Sequence, residues 1–283
     1  MIVYCTTESF ARLSGEFDSD SLYGLIFATY KDIVGSKPPE FKVSSPYPHI
    51  SGKRFYKLPN IFSLLKLDSF KRKSLRHIKY IPEETLEKLL KILSDHIVKT
   101  RIEKLEEPKN SQVIKLLTEA QVDFPIKPKD ENRVSIDVFS GASVPFSADS
   151  LFFVKPSGIW FYIEGDIPKD TLKYALEIRG LGGERSSGSG VFDKVSFSNE
   201  SINFDSAVGY LASVYLQKPK DTGRFLGVTE KRKLKFFKGK IVSIKVVSDG
   251  ALVIGNANGR LEYVDKETPV VLNGQGVTFG GNN

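Results

Sequence analysis

The segment Arg179–Gly190, Arg-Gly-Leu-Gly-Gly-Glu-Arg-Ser-Ser-Gly-Ser-Gly, restricts the fold more than any other part of the chain, because five of its residues are glycines. Glycine adopts positive φ angles without strain and lets another backbone approach closely. Three serines and the arginines at positions 179 and 185 lie among these glycines. Exposed N–H groups, hydroxyls and guanidinium groups together are typical of a loop that binds phosphate. The segment therefore predicts a phosphate-holding loop.

The surroundings of this loop exclude two common nucleotide-binding motifs. Residues 168–179 predict a helix, since Leu172, Ala175 and Leu176 share one face, and residues 191–197 alternate as a strand does. A dinucleotide fingerprint needs the opposite order, strand to helix, and a glycine where Arg185 stands. A P-loop needs a lysine where Ser189 stands.

Composition favours an anionic partner. The 283 residues include 41 basic and 34 acidic side chains, for a formal net charge of +7. This excess points most simply to nucleic acid, although a lysine-rich protein from a thermophile has a similar composition. Cys5 is the only cysteine, which excludes an internal disulfide and a cysteine-based zinc site.

No apolar run reaches the ~18 residues that span a membrane. The first residues, 1–4, predict a strand and not a signal peptide. We therefore expect a soluble, cytoplasmic protein with no membrane partner, no metal and no cofactor.

The first half of the chain predicts a strand, a helix and a helical region. After a β-rich run at residues 2–6, the segment Asp18-Ser19-Asp20-Ser21 is typical of a helix start, and Gly35 of its end. Residues 36–60 contain five prolines and predict loop or irregular extended chain. Residues 61–120 have helical periodicity, which is clearest after Pro82.

Strand patterns dominate after Arg133. Residues 151–154 and 159–163 predict one hairpin, and the strands around Ser248-Asp249-Gly250 predict a second. The succession is β-α, a helical insertion, then β-β-α-β, which is the order of a ferredoxin-like domain related to RNA-recognition motifs. The sequence thus predicts an α+β protein. Residues 1–200 form its ferredoxin-like domain, with a helical insertion at about 60–120, and residues 201–283 form a smaller β-rich domain. A second, reduced ferredoxin-like unit is one interpretation of the latter, although no sequence repeat supports a duplication.

Four segments resemble a known family. A helix, the Gly-Leu-Gly-Gly-Glu-Arg-Ser-Ser-Gly-Ser-Gly loop and a strand resemble the glycine-rich signature of the RAMP superfamily of CRISPR proteins. Residues 18–24 resemble the His-Ser-Asp-Thr-Leu-Phe-Gly segment of one branch, the type III-A subunit that caps the guide RNA (subunit four of the Csm complex), with Asp18 in place of histidine. Residues 44–48 resemble its Ser-Ser-x-x-Pro stretch, and residues 269–274 its C-terminal ending. Residues 132–135 match its Asn-x-Ile-Asp-Arg segment only in part. Type III-B and III-D counterparts share the glycine signature.

The resemblance implies a RAMP-type fold and a structural role in antiviral defence. Such a subunit would bind the 5′ handle of the CRISPR RNA and would bridge the large polymerase/nuclease subunit to the backbone RAMP subunits, without being the nuclease. The RNA-binding residues that we then expect combine the loop with Ser19 and Arg133: Arg179, Gly180, Gly182, Gly183, Arg185, Ser186, Ser187, Gly188, Gly190, Ser19 and Arg133.

Two basic clusters have open interpretations. Residues 66–79 contain six lysines and arginines with one acid, and Phe70 lies among them. They suit either single-stranded RNA or a solvated helix face. Residues 231–240 contain six basic residues and no acid, which fits an RNA track, an acidic neighbouring subunit or a charged hairpin edge that resists aggregation.

The histidines leave an enzymatic alternative. Some RAMP proteins are metal-independent endoribonucleases that cleave CRISPR repeats, and histidine is a common general acid–base group. His77, inside the first basic cluster, is the best candidate for this role, with His49 next; His96 lies beside an apolar helix face. No His-Asp dipeptide or His-Glu-x-x-His pattern indicates a metal site. A module that binds a small nucleotide is a third, weaker interpretation.

Overall fold

The computed structural model describes residues 1–8, 10–13, 17–100, 104–120, 126–136, 143–154, 156–182, 188–264 and 271–281. The elements before the glycine loop are, in chain order, β1 (Ile2–Thr6), β2 (Phe10–Leu13), α1 (Ser19–Val34), β3 (Lys42–Val43), β4 (Tyr47–Ile50), β5 (Lys53–Lys57), α2 (Ser69–Leu75), β6 (Tyr80–Pro82), α3 (Glu83–Thr100), α4 (Lys109–Glu119), β7 (Ile126–Ile136), β8 (Ser143–Val154), β9 (Ser157–Glu164) and α5 (Lys169–Lys173). The later elements are β10 (Lys194–Ser198), β11 (Gly209–Leu211), β12 (Arg224–Leu226), β13 (Glu230–Phe237), β14 (Lys240–Val247), β15 (Leu252–Ile254), β16 (Gly259–Tyr263), β17 (Val271–Gln275) and β18 (Thr278–Phe279).

An antiparallel sheet with the strand order β10-β1-β9-β4-β5-β6 organises the molecule, and β3 also pairs with β9. Helix α1 follows β1, and α5 connects β9 to β10. The predicted α+β class is therefore confirmed. The ferredoxin-like arrangement stays a prediction.

Both faces of this sheet are buried, which explains its nearly continuous apolar strands. Along β1, Ile2 faces one apolar cluster and Val3 the other, because successive side chains of a strand point to opposite faces. Helices α1 and α5 cover the Val3 face. Helices α3 and α4 and the residues after 200 cover the Ile2 face, where Trp160 is completely buried.

The helices agree with the sequence patterns. Asp18 caps α1 by accepting a hydrogen bond from the Ser21 amide, and Gly35 ends the helix at φ +77°. Helices α2, α3 and α4 lie inside the predicted helical region 61–120. The helix predicted over 168–179 forms in two parts, since α5 continues as a π-helix over Tyr174–Arg179.

Three of the predictions about strands are wrong: one segment predicted to be irregular forms strands, and two predicted hairpins do not form. The segment 36–60, expected to be irregular, supplies β3, β4 and β5. Pro48 is tolerated inside β4 because β4 pairs with β5 only over His49 and Ile50, so the missing N–H of Pro48 falls outside that ladder.

The two predicted hairpins are absent, because each pair of neighbouring segments joins different sheets. Strand β8 pairs with β2 and β7, whereas both edges of β9 are occupied by β1 and β4. Likewise β15 pairs with β11 and β12, and β14 pairs with β13. The turn of the β13–β14 hairpin is Lys238-Gly239, and both residues have positive φ, which is the geometry of a type I′ turn.

The residues after 200 are β-rich, as predicted. Over 201–264 and 271–281 the structure has strands and no helix. These ranges therefore do not supply the helices that a reduced ferredoxin-like unit would contain. Tyr210 and Phe279 belong to the same apolar cluster as Trp160. The domain boundary at residue 200 stays a prediction.

Candidate nucleic-acid interface

The two ends of the glycine loop are fastened to each other and to β2. The Leu181 amide donates to the Gly190 carbonyl at 2.9 Å, and the Gly190 amide donates to the Arg12 carbonyl at 2.6 Å. Ser189 is fully buried, and its hydroxyl donates to the same Arg12 carbonyl at 3.0 Å. The loop therefore leaves the body of the protein from a rigid base.

Two glycines of this base are required by the packing. A Cβ at Gly190 would lie 1.9 Å from the Leu181 carbonyl oxygen, and one at Gly180 would lie 2.8 Å from the Ser189 carbonyl oxygen. Both residues also have positive φ. Gly188 has positive φ as well, but a Cβ there meets no atom of the described residues within 4 Å. The described part of the protein thus leaves room for another molecule to approach the Gly188 backbone.

The centre of the loop lies outside the described residues. Gly183, Arg185, Ser186 and Ser187, four of the expected RNA contacts, belong to this part. Gly182 is the last described residue before it and has φ +109°. The phosphate-holding role of these residues stays a prediction.

Arg179 has partners inside the protein. Its guanidinium group contacts the Asp32 carboxylate of α1 at 2.7 Å and Thr29 Oγ1 at 3.4 Å. These contacts attach the end of the π-helix to α1. Arg179 therefore supports the base of the loop from the side of α1.

Ser19 lies at the other end of α1, about 20 Å from Asp32 at the helical rise of 1.5 Å per residue. It is completely buried, and its hydroxyl accepts a hydrogen bond from the Val214 amide at 2.9 Å. This burial does not fit the direct RNA contact that we expected of Ser19. Arg133 lies in β7 opposite Phe146, and its side chain is outside the described part of the chain.

Three of the family-like segments meet at the N-terminus of α1. The Ser19 amide donates to Ser45 Oγ at 3.2 Å, and the Asn273 amide donates to the Asp20 carboxylate at 2.9 Å. The Ser45 amide donates to the Ala212 carbonyl at 2.7 Å. These segments therefore join the first half of the chain to the residues after 200.

Sequence reasoning missed an ion-pair cluster at the same place. Three alternate lysines of β13 reach the two carboxylates at the start of α1: Lys231 and Lys233 contact Asp18, and Lys235 contacts Asp20 at 2.8 Å. Burial would raise the pKa of Asp18, but the lysine ammonium groups outweigh it and lower the pKa to about 2. The period-two spacing of the lysines indicated one strand face, but nothing in the sequence indicated their partners.

The sheet face that an RNA-recognition motif uses is covered. In such motifs, aromatic side chains on an open sheet stack on bases. Here Tyr47, Tyr56 and Trp160 lie on the sheet but are completely buried. Ring centroids of Tyr56 and Tyr210 are 5.7 Å apart, and those of Trp160 and Phe279 are 6.4 Å apart. This sheet face is therefore not open to bases in the way that the face of an RNA-recognition motif is.

The basic cluster at 66–79 contains an accessible cleft. Arg72 and Arg76 border an open cleft of about 460 Å³ with Phe62, Ser63 and Asn60. Neither arginine forms an ion pair with a described carboxylate, and Phe70 is 81 % exposed. Two arginine side chains in one cleft with the aromatic ring of Phe62 are suited to binding a nucleotide.

The three histidines differ in access. His49 is buried, its Nε2 lies 3.2 Å from the Cys5 carbonyl, and burial lowers its pKa. His96 is also buried, with Nε2 3.0 Å from the Lys104 carbonyl. His77 is exposed, and no described side chain hydrogen-bonds to it.

In the described ranges, no group of three or more histidine, cysteine, aspartate and glutamate side chains could hold a metal ion. The helices in these ranges are all too short or too polar to cross a membrane.

Comparisons with solved structures show which fold this is. No protein-family model and no curated protein matches the chain. A chain of the "Csm3-Csm4 subcomplex in the type III-A CRISPR-Cas interference complex" superimposes with a TM-score of 0.62 at 15% identity, covering 98% of both chains. A chain of the "Csm1-Csm4 cassette in complex with cA4" gives 0.57 at 17% identity, covering 99% of this chain and 96% of that chain. A chain of the type III-B Cmr-beta complex bound to cognate target RNA gives 0.53 at 13% identity, covering 89% of this chain and 85% of that chain.

The fold is thus similar to that of subunits of type III CRISPR-Cas complexes. Csm4 is the subunit that the Csm3-Csm4 and Csm1-Csm4 complexes have in common, so the fold is Csm4-like. The family resemblance of the sequence is confirmed at the level of the fold.

Proposed function

We propose that this protein is a non-catalytic RNA-binding subunit of a type III CRISPR-Cas interference complex. In this proposal the glycine loop holds the 5′ handle of the CRISPR RNA. The complex acts in the cytoplasm and serves antiviral defence. The observation that carries the proposal is the loop itself: a rigid base made by Gly180 and Gly190 carries a glycine- and serine-rich segment, on a chain whose fold is that of Csm4.

Several features support RNA binding at the loop. The strand order β10-β1-β9-β4 with helices α1 and α5 fits a ferredoxin-like unit. Its sheet face is filled by the residues after 200, which leaves the loops to contact RNA. Backbone N–H groups and serine hydroxyls suit phosphate and ribose, which position an RNA without reading its bases.

The partners that we propose follow from the similar structures. In these structures Csm4 is paired with Csm3 in one case and with Csm1 in another. We infer that this chain likewise bridges a large polymerase/nuclease subunit and a backbone RAMP subunit.

A repeat-cleaving endoribonuclease is the second candidate. His77 is the histidine that RNA could reach, whereas His49 and His96 are buried. General acid–base cleavage needs groups on both sides of the scissile phosphate, and no described side chain is bonded to His77 to orient it.

The deciding experiment incubates 5′-labelled CRISPR repeat RNA with the protein, alone and co-expressed with its large-subunit neighbour, with and without EDTA. A shifted, intact band that is strongest in the co-expressed sample supports the scaffold function. A shorter product that is unaffected by EDTA and lost in His77→Ala would establish the endoribonuclease instead.

A variant of the loop tests where the RNA binds. Gly188→Leu places a side chain where no atom of the described residues lies within 4 Å of the new Cβ, so we expect roughly tenfold weaker handle binding by a folded protein. Gly35→Leu, also at positive φ in open space but at the end of α1, is the matched control. Equal affinities of the two variants would contradict the assignment of the loop.

A further inference from the structure

The hairpin β13–β14 (Glu230–Val247, hereafter the hairpin arm) has two faces of different character. Its eight residue pairs run from Glu230↔Val247 to Phe237↔Lys240. Burial alternates along β13: Lys231, Lys233 and Lys235 are half-buried, whereas the residues between them are exposed. Side chains of a strand alternate between faces, so one face of the arm is turned toward the protein and the other toward solvent.

The inner face fixes the arm to the protein. Its three lysines pair with Asp18 and Asp20, and Val246 is buried in a cluster with Val214 and Leu272. The positive charges that suggested an RNA track in the sequence are therefore already used by carboxylates of the same chain. This leaves the arm rigid and its basic inner face inaccessible.

The outer face is apolar and exposed. Phe236 and Ile241 are directly paired across the two strands and are 73 % and 67 % exposed. Leu234 lies on the same face, two residues before Phe236 in β13, and is 64 % exposed. Side chains of this size that stand together in water, on a strand held in place, mark a surface that another molecule covers.

Basic groups border this apolar face. Arg232 is paired directly with Lys245 on the same face, and Lys238 and Lys240 lie at the tip. Glu230 is the acidic group of the arm, and it pairs with Lys245 at 2.6 Å. The border of the face therefore has a net positive charge.

We propose that the outer face of the hairpin arm is a protein-docking surface, and that its partner is another subunit with an apolar pocket bordered by carboxylates. Leu234 and Ile241 cannot stack on bases as aromatic rings do, which favours protein over RNA. A second copy of this chain would bring the same positive border, which disfavours self-association. The identity of the partner rests on the proposed function.

The test compares the full-length protein with the variant Leu234→Ser/Phe236→Ser/Ile241→Ser. Each is titrated against the purified large subunit and against the purified backbone subunit of a type III effector from the same genome. We expect the variant to bind one of these subunits roughly 100-fold more weakly, as for loss of a central apolar contact. The control variant Ile33→Ser/Ile178→Ser removes apolar side chains elsewhere on the protein that are 52 % and 63 % exposed, and its affinity for either subunit should change less than twofold.

Several results would overturn the proposal. They are unchanged binding of the triple variant to both subunits, binding of the unaltered protein to neither, or loss of RNA binding with subunit binding intact. A dimer of the unaltered protein that the triple variant abolishes would identify a second copy as the occupant. If the triple variant does not fold, Arg232→Glu tests the basic border alone. An unchanged affinity of this variant for both subunits would also overturn the proposal. Handle-RNA binding, measured on the same preparations, reports on the proposed function separately, because a protein without RNA affinity can still dock through the arm.

Discussion

The Lys233 ammonium group lies 2.6 Å from the Asp18 carboxylate, although the two residues are 215 positions apart in the chain. Asp18 is also the N-cap of α1. One carboxylate therefore starts the first helix and anchors the hairpin arm, so the two halves of the chain stabilise each other through it.

This relationship predicts a specific acid sensitivity. Burial alone would raise the pKa of Asp18, but Lys233 and Lys231 lower it to about 2, from 3.8 in the unfolded chain. A carboxylate with a lowered pKa contributes stability above its unfolded pKa, and this stability is lost as the pH falls toward its folded pKa. We expect Asp18→Asn to lower the free energy of unfolding by about 2 kcal/mol at pH 7 and by almost nothing at about pH 2. Urea unfolding between pH 2 and pH 7 measures this.

Asp68→Asn is the matched control for this pH series. Asp68 caps α2 by accepting from the Lys71 amide at 2.7 Å, but its side chain is exposed. Asparagine preserves an N-cap in both variants, so only the charge differs. An equal, pH-independent loss of stability in both variants would show that the lysine contacts contribute nothing beyond capping.

The parts of the fold that the sequence predicted are those encoded by neighbouring residues. Asp18 and Gly35 mark both ends of α1, because a cap and a left-handed glycine act within one helical turn. The buried face of Leu172, Ala175 and Leu176 also follows from local periodicity. The glycine-rich segment was correctly placed between a helix and a strand.

The parts that the sequence could not predict depend on distant pairing. Nothing local shows that β9 has both edges occupied by β1 and β4, and so cannot form a hairpin with β8. The burial of Ser19 has the same origin, since its partner Val214 is 195 positions away. Strand pairing of this kind is decided by the whole chain.

Two glycines of the loop should differ sharply on substitution with alanine. Both have positive φ, +76° at Gly188 and +80° at Gly190, which costs alanine about 1 kcal/mol in either place. Only at Gly190 does the new Cβ collide with backbone, 1.9 Å from the Leu181 carbonyl oxygen. We expect Gly190→Ala to lower the free energy of unfolding by about 3 kcal/mol and Gly188→Ala by about 1 kcal/mol. Thermal unfolding of the two proteins decides this, and similar melting temperatures would contradict the close packing of the loop base.

Arg54 allows a comparison of two carboxylates on one guanidinium group. Its Nη2 contacts Glu83 at 2.6 Å and its Nη1 contacts Glu200 at 3.1 Å, but Glu83 is half-buried whereas Glu200 is 66 % exposed. Removing the partner of a buried charge is costly, whereas surface ion pairs contribute little. We expect Glu83→Ala to cost about 3 kcal/mol and Glu200→Ala less than about 0.5 kcal/mol in chemical denaturation. A larger loss from Glu200→Ala would mean that the exposed pair holds Arg54 in place.

The two arginines of the glycine segment should separate RNA contact from support of the loop. Arg179 already pairs with Asp32 at 2.7 Å, so Arg179→Ala should lower stability and leave the salt dependence of handle binding unchanged. Arg185 lies in the centre of the loop, where we propose a phosphate contact. Each phosphate contact to single-stranded RNA contributes about 0.7 to the slope of log K against log salt concentration. We therefore expect Arg185→Ala to reduce the slope by about 0.7, measured by fluorescence anisotropy with labelled handle RNA from about 50 to 200 mM salt. If Arg179→Ala reduced the slope and Arg185→Ala left it unchanged, the two roles would be exchanged. RNA would then displace Asp32 from Arg179.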